Sequence, residues 1–263
     1  MAEHEIHRWN RLNKGHRAGY PPLFNGSSIG TKLLVEIAAA EPVTIRDLPE
    51  SSLRTPTNVT KHIHNLVAAG RIRPFLSDPR RHTTSRYNPK AYCIDRRSPI
   101  YRETIEVLRA IGTVHGIRLP HRQVEPSTGL AIDTIVCNPL SEIFGPRHRT
   151  IVIVLSALVP DADAATIARM VGVSPKGNSK VLLDPLVRDS VLDRLDAGKF
   201  RLYRLNRAAP WSQPLLTLIR RVAELEPILR SLSQAAEILR ASGDSAPRKY
   251  MRRLLESGEV RSN

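Results

Sequence analysis

The sequence has few cysteines and no long apolar run. Cys93 and Cys137 are the two cysteines among 263 residues, and they are too few and too far apart for a disulfide framework or a zinc knuckle. The N-terminal segment has no apolar core, so it does not resemble a signal peptide. The longest apolar run, at 150–159, is about half the length that spans a bilayer. We therefore expect a cytoplasmic protein with no membrane partner, in which both thiols are reduced packing residues.

The motifs of common enzymes are also missing. The chain contains no Walker-type phosphate loop, no Gly-x-Gly-x-x-Gly after a strand and no Gly-x-Ser-x-Gly. Nine histidines are scattered along it. His62 and His64, two residues apart, project from different sides of a helix and cannot share a metal ion. The sequence thus predicts no catalytic residue, no cofactor and no metal site, and hence a protein that is not an enzyme.

Positive charge is what the sequence has in excess. Its 40 Lys and Arg exceed its 25 Asp and Glu, which gives a net charge of +15 and a pI near 10.6. Such a charge favours a polyanionic partner, either nucleic acid or an acidic membrane surface. A basic proteome from a GC-rich genome would also be rich in Arg, so charge alone does not decide between these explanations.

The chain contains an internal repeat with a spacing of about 120 residues. Each copy begins with an aromatic-Gly turn and an apolar helix. Each continues with a short helix entered by a Thr, a third helix, a two-stranded ribbon ending in Tyr plus Asn, and a last amphipathic helix. In the first copy these features lie at 23–39, 44–48, 55–70, 71–89 and 98–116, and in the second at 143–159, 166–170, 174–192, 191–206 and 209–225. The shared order predicts two copies of one domain.

In the first copy the third helix has two unlike faces. Val59, Ile63, Leu66 and Val67 recur with the 3.6-residue period of a helix and form an apolar stripe. The other face is polar, and no Asp or Glu occurs anywhere between residues 51 and 77. A helix face that meets only water normally carries both signs of charge. The absence of acid therefore predicts contact with a polyanion.

Three helices followed by a two-stranded ribbon is the order of a winged helix-turn-helix domain. Residues 55–72, TPTNVTKHIHNLVAAGRI, resemble the third helix of bacterial winged-helix regulators of the ArsR and MarR kind. The resemblance covers 23–112 well and 143–225 more loosely. It departs from the metal-sensing members, because the chain has no Cys-x-Cys pair. What it implies is the fold and a DNA-binding role.

The predicted fold class is mainly α with small β-wings, in the form of two tandem winged helix-turn-helix domains plus a helical C-terminal extension. The boundaries follow from the repeat and from a linker that holds three Pro. They give an N-terminal arm at 1–22, a first winged-helix domain with its following helix at 23–116, a linker at 117–142, a second winged-helix domain at 143–226 and the extension at 227–263.

The third helix of a helix-turn-helix lies in the major groove of DNA. That groove suits small polar side chains and positive charge, because Asn pairs with adenine, Thr contacts the thymine methyl group and Lys reaches guanine or phosphate. Wings contact phosphates or a narrow minor groove. The predicted contacts are Arg54, Thr57, Asn58, Thr60, Lys61, His62 and Asn65 around the helix at 55–69, and Arg80, Arg81 and Arg86 in the wing at 76–86.

The second copy differs in its third helix. Asp184 would repel phosphate if it faced a groove, and Pro185 removes a helix hydrogen bond. Lys176 and Lys180 still allow contacts with the DNA backbone. We expect a degenerate head, suited to weak or nonspecific DNA contact or to protein packing.

The sequence therefore predicts a nucleoid-associated protein that binds double-stranded DNA sequence-specifically as a transcription regulator. One alternative is a plasmid or phage replication initiator with tandem winged helices, and another is a winged-helix adaptor that binds proteins. The operator, the sign of regulation and any small-molecule effector stay open. The helices after residue 226 have two interpretations, packing within the chain or formation of a homodimer, and we adopt the homodimer as the prediction.

Overall fold

The computed structural model describes residues 19–48, 56–75, 91–120, 140–159, 161–171, 179–197, 200–227, 229–231 and 234. The chain divides into two compact units, residues 1–139 and 140–263. This division falls within the predicted linker, of which 121–139 lies outside the described residues. Most of the predicted arm and of the C-terminal extension also lie outside them. The described residues are mainly helical with two small three-stranded sheets, as the coarse fold prediction requires.

The described part of the first unit combines three helices with a small antiparallel sheet. Its helices are α1 (Ser28–Ala40), α2 (Pro56–Ala68) and α3 (Tyr101–Val114), with 3-10 turns at Phe24–Gly26 and Ile45–Asp47. Its strands are β1 (Val43–Thr44), β2 (Ile72–Phe75) and β3 (Ala91–Ile94), in the order β1-β3-β2. The predictions of helices at 55–70 and 98–116 are thereby confirmed.

Helix α1 forms the centre of the first unit because most of its length is apolar. Leu33, Leu34 and Ile37 are fully buried, and the helix packs against α2, α3 and β3. Burying each such side chain stabilises the fold by about 1.5–3 kcal/mol. The Ser27 hydroxyl caps the start of the helix by accepting a hydrogen bond from Gly30 N at 3.2 Å. Helix α1 therefore gives α2 a rigid base.

The return strand of the first ribbon lies further along the chain than predicted. In β3, Tyr92 pairs with Val43 of β1, just as Tyr203 pairs with Ala162 in the second unit. The prediction that this ribbon ends at 89, with Tyr87-Asn88 as the counterpart of Tyr203, was wrong. Tyr92, five residues after Tyr87, is the residue that pairs with β1. The sequence around each Tyr does not show which of them lies in the strand. The ribbon tip at 76–90 lies outside the described residues.

The second unit repeats this order of elements. Its helices are α4 (Arg147–Leu158), α5 (Ala164–Val171), α6 (Asp184–Arg188) and α7 (Ser212–Leu225), with a 3-10 turn at Leu140–Glu142 and a π-helical turn at Ser179–Leu183. Its strands are β4 (Ala162–Asp163), β5 (Leu192–Ala197) and β6 (Phe200–Leu205), in the order β4-β6-β5. The predictions of a ribbon at 191–206 and a helix at 209–225 are confirmed. Within the described part of the chain, no helix is long and apolar enough to cross a membrane.

The same hydrogen bond occurs in each unit at the start of its first helix. Phe24 N donates to the Thr31 hydroxyl at 3.2 Å, and Phe144 N donates to the Thr150 hydroxyl at the same distance. Each Phe is fully buried, as is each Thr. A buried backbone N–H needs a partner, and the same device meets that need at both places. The shared contact aligns Phe24 with Phe144 and Thr31 with Thr150, so the second copy is one residue shorter here than the ungapped alignment of 23–39 with 143–159 implies.

The short second helix of each copy starts differently from the prediction. In the first unit Thr44 does stand at the start, where the Asp47 carboxylate accepts hydrogen bonds from Thr44 N at 3.0 Å and from its hydroxyl at 2.7 Å. In the second unit α5 begins at Ala164, and the Asp163 carboxylate accepts from the backbone N–H of Ala165 and Thr166. The prediction that Thr166 opens this helix was wrong, because Asp163 supplies the cap.

Candidate nucleic-acid interface

Helix α2 separates its residues into a buried and an exposed stripe. Val59, Ile63 and Leu66 of the predicted apolar stripe are fully buried, whereas Val67, at the edge of the stripe, is half-buried. On the opposite side, residues spaced by three and four positions are exposed. This exposed stripe consists of Lys61, His64, Asn65 and Ala68. A cation, an imidazole and an amide therefore stand together on one side of a firmly anchored helix.

A tight turn connects this helix directly to the first strand of the ribbon. Gly70 has φ +62°, a backbone conformation that glycine adopts at little cost. Arg71 N then donates to Leu66 O at 2.9 Å, which closes the helix end. Ser190 forms the corresponding turn in the second unit with φ +58°. Because β2 begins two residues after Gly70, the position of the ribbon is fixed by the position of α2.

The charge of the first unit is concentrated in this helix and the ribbon. Between residues 51 and 94 the chain has eight Lys and Arg and a single acidic residue, Asp78. The corresponding segment of the second unit, 172–205, has seven Lys and Arg but also four Asp. The first segment is therefore the more strongly positive of the two, and its described helix has no acidic side chain that would repel a phosphate.

His62 and His64 occupy different environments. His62 is half-buried at the edge of the exposed stripe, and burial together with nearby Lys61 lowers its pKa. The neutral imidazole is thus favoured at neutral pH, where it can donate or accept a hydrogen bond but adds no charge. His64, which the set of predicted contacts left out, lies on the exposed stripe. Helical spacing from Lys61 is the signal that identifies it.

The other predicted contacts are placed only in part. Thr60 is half-buried, whereas Lys61 and Asn65 are exposed. Thr57 and Asn58 belong to α2, and Lys180 belongs to the π-helical turn of the second unit, but their side chains lie outside the description. The predicted contacts that lie wholly outside the described residues are Arg54, Arg80, Arg81, Arg86 and Lys176.

The corresponding helix of the second unit is short and irregular. A π-helical turn precedes Asp184, and Pro185 stands in the first turn of α6. The wide turn accommodates the missing N–H of the proline. Val181, which the repeat aligns with Lys61, is 72% exposed. An apolar side chain thus replaces the exposed cation of the first unit.

Ion pairs also neutralise much of the second ribbon. Arg204 Nε lies 3.7 Å from the Asp193 carboxylate. Arg194 lies 3.4 Å from the Asp196 carboxylate, and Arg201 stands opposite the same Asp196 in the register of the two strands. A carboxylate beside each of these arginines weakens its attraction for a further anion.

Comparison of the chain with protein-family models, with curated proteins and with solved structures finds no match. Among the described residues, no three His, Cys, Asp or Glu side chains come together in a way that could hold a metal ion. Cys93 is buried, and this burial raises the pKa of its thiol, as expected for a packing residue. Cys137 lies outside the described residues.

Proposed function

We propose that the protein is a sequence-specific DNA-binding transcription regulator with two winged helix-turn-helix domains in tandem, of which the first reads the major groove. The observation that carries this proposal is the exposed, acid-free stripe of α2. Two further features support it, namely the helix-helix-helix-ribbon order of the first unit and the concentration of positive charge at 51–94. A protein of this kind needs no catalytic residue and no cofactor.

In this proposal, side chains of the exposed stripe have separate roles. Asn65 offers an amide that can pair with adenine, and Lys61 can reach guanine or a phosphate. His64 adds a ring nitrogen that can donate to or accept from a base edge. Each well-formed base contact discriminates against the wrong base by about 1–3 kcal/mol. The ribbon, whose Arg-rich tip follows β2, contacts phosphates and sets the register of the helix.

The second unit adds affinity more than specificity. Its exposed Val181 has no hydrogen bond to offer a base edge, and the carboxylates of Asp193 and Asp196 stand beside its ribbon arginines. One reading helix covers too few base pairs for a genome of competing sites. We therefore propose that two chains bind as a homodimer, which places two copies of α2 about 34 Å apart on an inverted repeat.

Selection of bound fragments from genomic DNA, followed by sequencing, tests the proposal. The expected outcome is one short inverted repeat near promoters. Asn58→Ala or Asn65→Ala should then weaken binding to the selected site by about 1–3 kcal/mol and relax base preference. Enrichment of clustered direct repeats at an origin would instead indicate a replication initiator. Affinity that is weak and independent of salt and sequence would indicate a protein-binding adaptor.

Light scattering with and without the selected DNA tests the homodimer. We expect two chains on each inverted repeat, and loss of the dimer when the chain is shortened to end at Glu226. A full-length monomer that binds a single asymmetric site one-to-one would contradict the dimer but not DNA binding itself.

A further inference from the structure

The second unit contains a polar pocket that DNA binding does not require. It is a small recess, partly open to solvent, between the C-terminal half of α4, the end of β6 and the first turn of α7. Its polar lining comes from Ser156, Arg204, Arg207, Ser212 and Gln213. No acidic side chain is among the described residues that line it. The pocket is therefore positive and rich in hydrogen-bond donors.

The Ser156 hydroxyl gives the first indication of a ligand. Ser156 is 1% exposed, and its Oγ has no hydrogen-bond partner among the described residues. A serine inside a helix normally satisfies its hydroxyl on the carbonyl one turn earlier. A buried hydroxyl without a partner is costly. Because Ser156 lines the pocket, a molecule bound there could accept this hydrogen bond.

At the equivalent position of the first unit, a carboxylate of the chain itself fills the space. There the Glu41 carboxylate, 4% exposed, accepts hydrogen bonds from Ile94 N at 2.8 Å and from the Arg96 guanidinium at 3.0 Å. The repeat aligns Ile94 with Leu205, since each ends its central strand opposite the first residue of the neighbouring strand. It therefore aligns Arg96 with Arg207. The strand register aligns Val43 with Ala162, because each pairs with a Tyr of the central strand. The residue that corresponds to Glu41 is therefore Pro160, which has no carboxylate.

The cations of the pocket differ in how much charge they have to offer. Arg204 is partly neutralised by Asp193 at 3.7 Å. Arg207 is exposed and forms no ion pair within the described part of the chain. The Ser212 hydroxyl donates to Arg207 O at 3.2 Å and so holds the backbone of this arginine at the pocket rim. The first turn of α7, with its partial positive charge, adds to the attraction for an anion.

We propose that this pocket binds the carboxylate group of a small-molecule ligand, in the place that the Glu41 side chain takes in the first unit. Arg207 supplies the charge, the Ser156 hydroxyl donates a hydrogen bond, and Gln213 and Arg204 complete the polar rim. Carboxylate is the favoured class because the chain itself uses a carboxylate at the equivalent position. Binding at this pocket would be detectable without DNA, so its test is independent of the proposed function.

Amide NMR spectra of the full-length chain during titration with sodium acetate provide the test. Sodium chloride at matched ionic strength is the reference. We expect saturable shifts that cluster at 204–213, with a Kd of about 1–10 mM, in keeping with a ligand of four heavy atoms. Arg207→Gln should weaken acetate binding at least about tenfold, as expected for loss of a charge-assisted hydrogen bond. Ser156→Ala should weaken it about threefold.

Arg96→Gln is the matched control, because Glu41 already occupies the corresponding place, and it should leave acetate binding unchanged. Identical shifts with chloride would show an adventitious ion only and would overturn the proposal. Unchanged acetate binding in Arg207→Gln, in a variant whose spectrum shows a native fold, would overturn it as well. Tighter binding of inorganic phosphate than of acetate would overturn the assignment to carboxylates.

Discussion

Replacing Lys61 with glutamine is the most direct test of how α2 meets DNA. Lys61 is exposed, and α2 contains no acidic residue that would neutralise its ammonium group. Its whole charge is therefore available to a phosphate or a guanine. Glutamine keeps much of the side-chain length and its helix propensity, so the fold of the first unit should be unaffected.

The magnitude follows from counterion release. Each phosphate contact contributes about 0.9 to the slope of log K against log salt concentration. Loss of the Lys61 contact should therefore flatten the slope by about 0.9. Raising NaCl from about 50 to 200 mM weakens DNA binding by both proteins. The fold-loss of affinity should be roughly 3.5 times smaller for Lys61→Gln than for the unchanged protein.

Fluorescence anisotropy with the selected DNA site measures both slopes. Arg118→Gln is the control, because Arg118 is also exposed in the first unit but lies after α3, outside α2 and the ribbon. Removing the same charge there should leave the slope unchanged. If Arg118→Gln flattens the slope and Lys61→Gln does not, α2 is not the surface that meets the DNA.

Three further predictions concern stability. Ile63→Ala, which empties a fully buried position under α2, should lower the free energy of unfolding of the first unit by about 2–5 kcal/mol in urea titrations; a loss below about 1 kcal/mol would contradict its packing. Folding favours the neutral form of His62, because burial lowers its pKa below the ordinary 6.5. The stability of the fold that depends on neutral His62 is therefore fully present above the ordinary pKa and is lost as the pH falls towards the pKa of the folded state. Urea titrations at pH 5.5 and 7.5 should show a smaller loss on acidification in His62→Gln, and an equal loss would refute this. Gly112→Ala would place a methyl group 2.7 Å from Ile117 O and 2.9 Å from Leu119 Cδ1, so it should lower the Tm of the first unit, and an unchanged Tm would show that this loop yields.

The helices were predictable because their apolar residues recur at the helical period. Helix α2 was expected at 55–69 and spans Pro56–Ala68, and three of the four residues that the period selects, Val59, Ile63 and Leu66, are fully buried. The same period identifies His64 as exposed, although the set of predicted DNA contacts included half-buried His62 and left His64 out. Spacing was a better guide to exposure than chemical suitability for a base.

The strands were harder to place because their pairing depends on distant residues. β3 is defined by its contact with β1, about fifty residues earlier in the chain, and neither Tyr87 nor Tyr92 shows locally which of them makes it. Pairing of this kind is set by tertiary context more than by strand propensity. For the same reason nothing near Glu41 signals that its carboxylate joins Ile94 N and Arg96.

The two units show how one arrangement of elements can diverge at its surfaces while its core persists. Buried positions are equivalent in both, as in the pairs Phe24 with Phe144 and Thr31 with Thr150. An exposed position of the third helix differs between the units, because Lys61 in the first corresponds to Val181 in the second. A core contact is constrained by packing on every side, whereas an exposed side chain is constrained only by what it binds. The change from cation to valine therefore argues that the two surfaces meet different partners, with DNA proposed for the first.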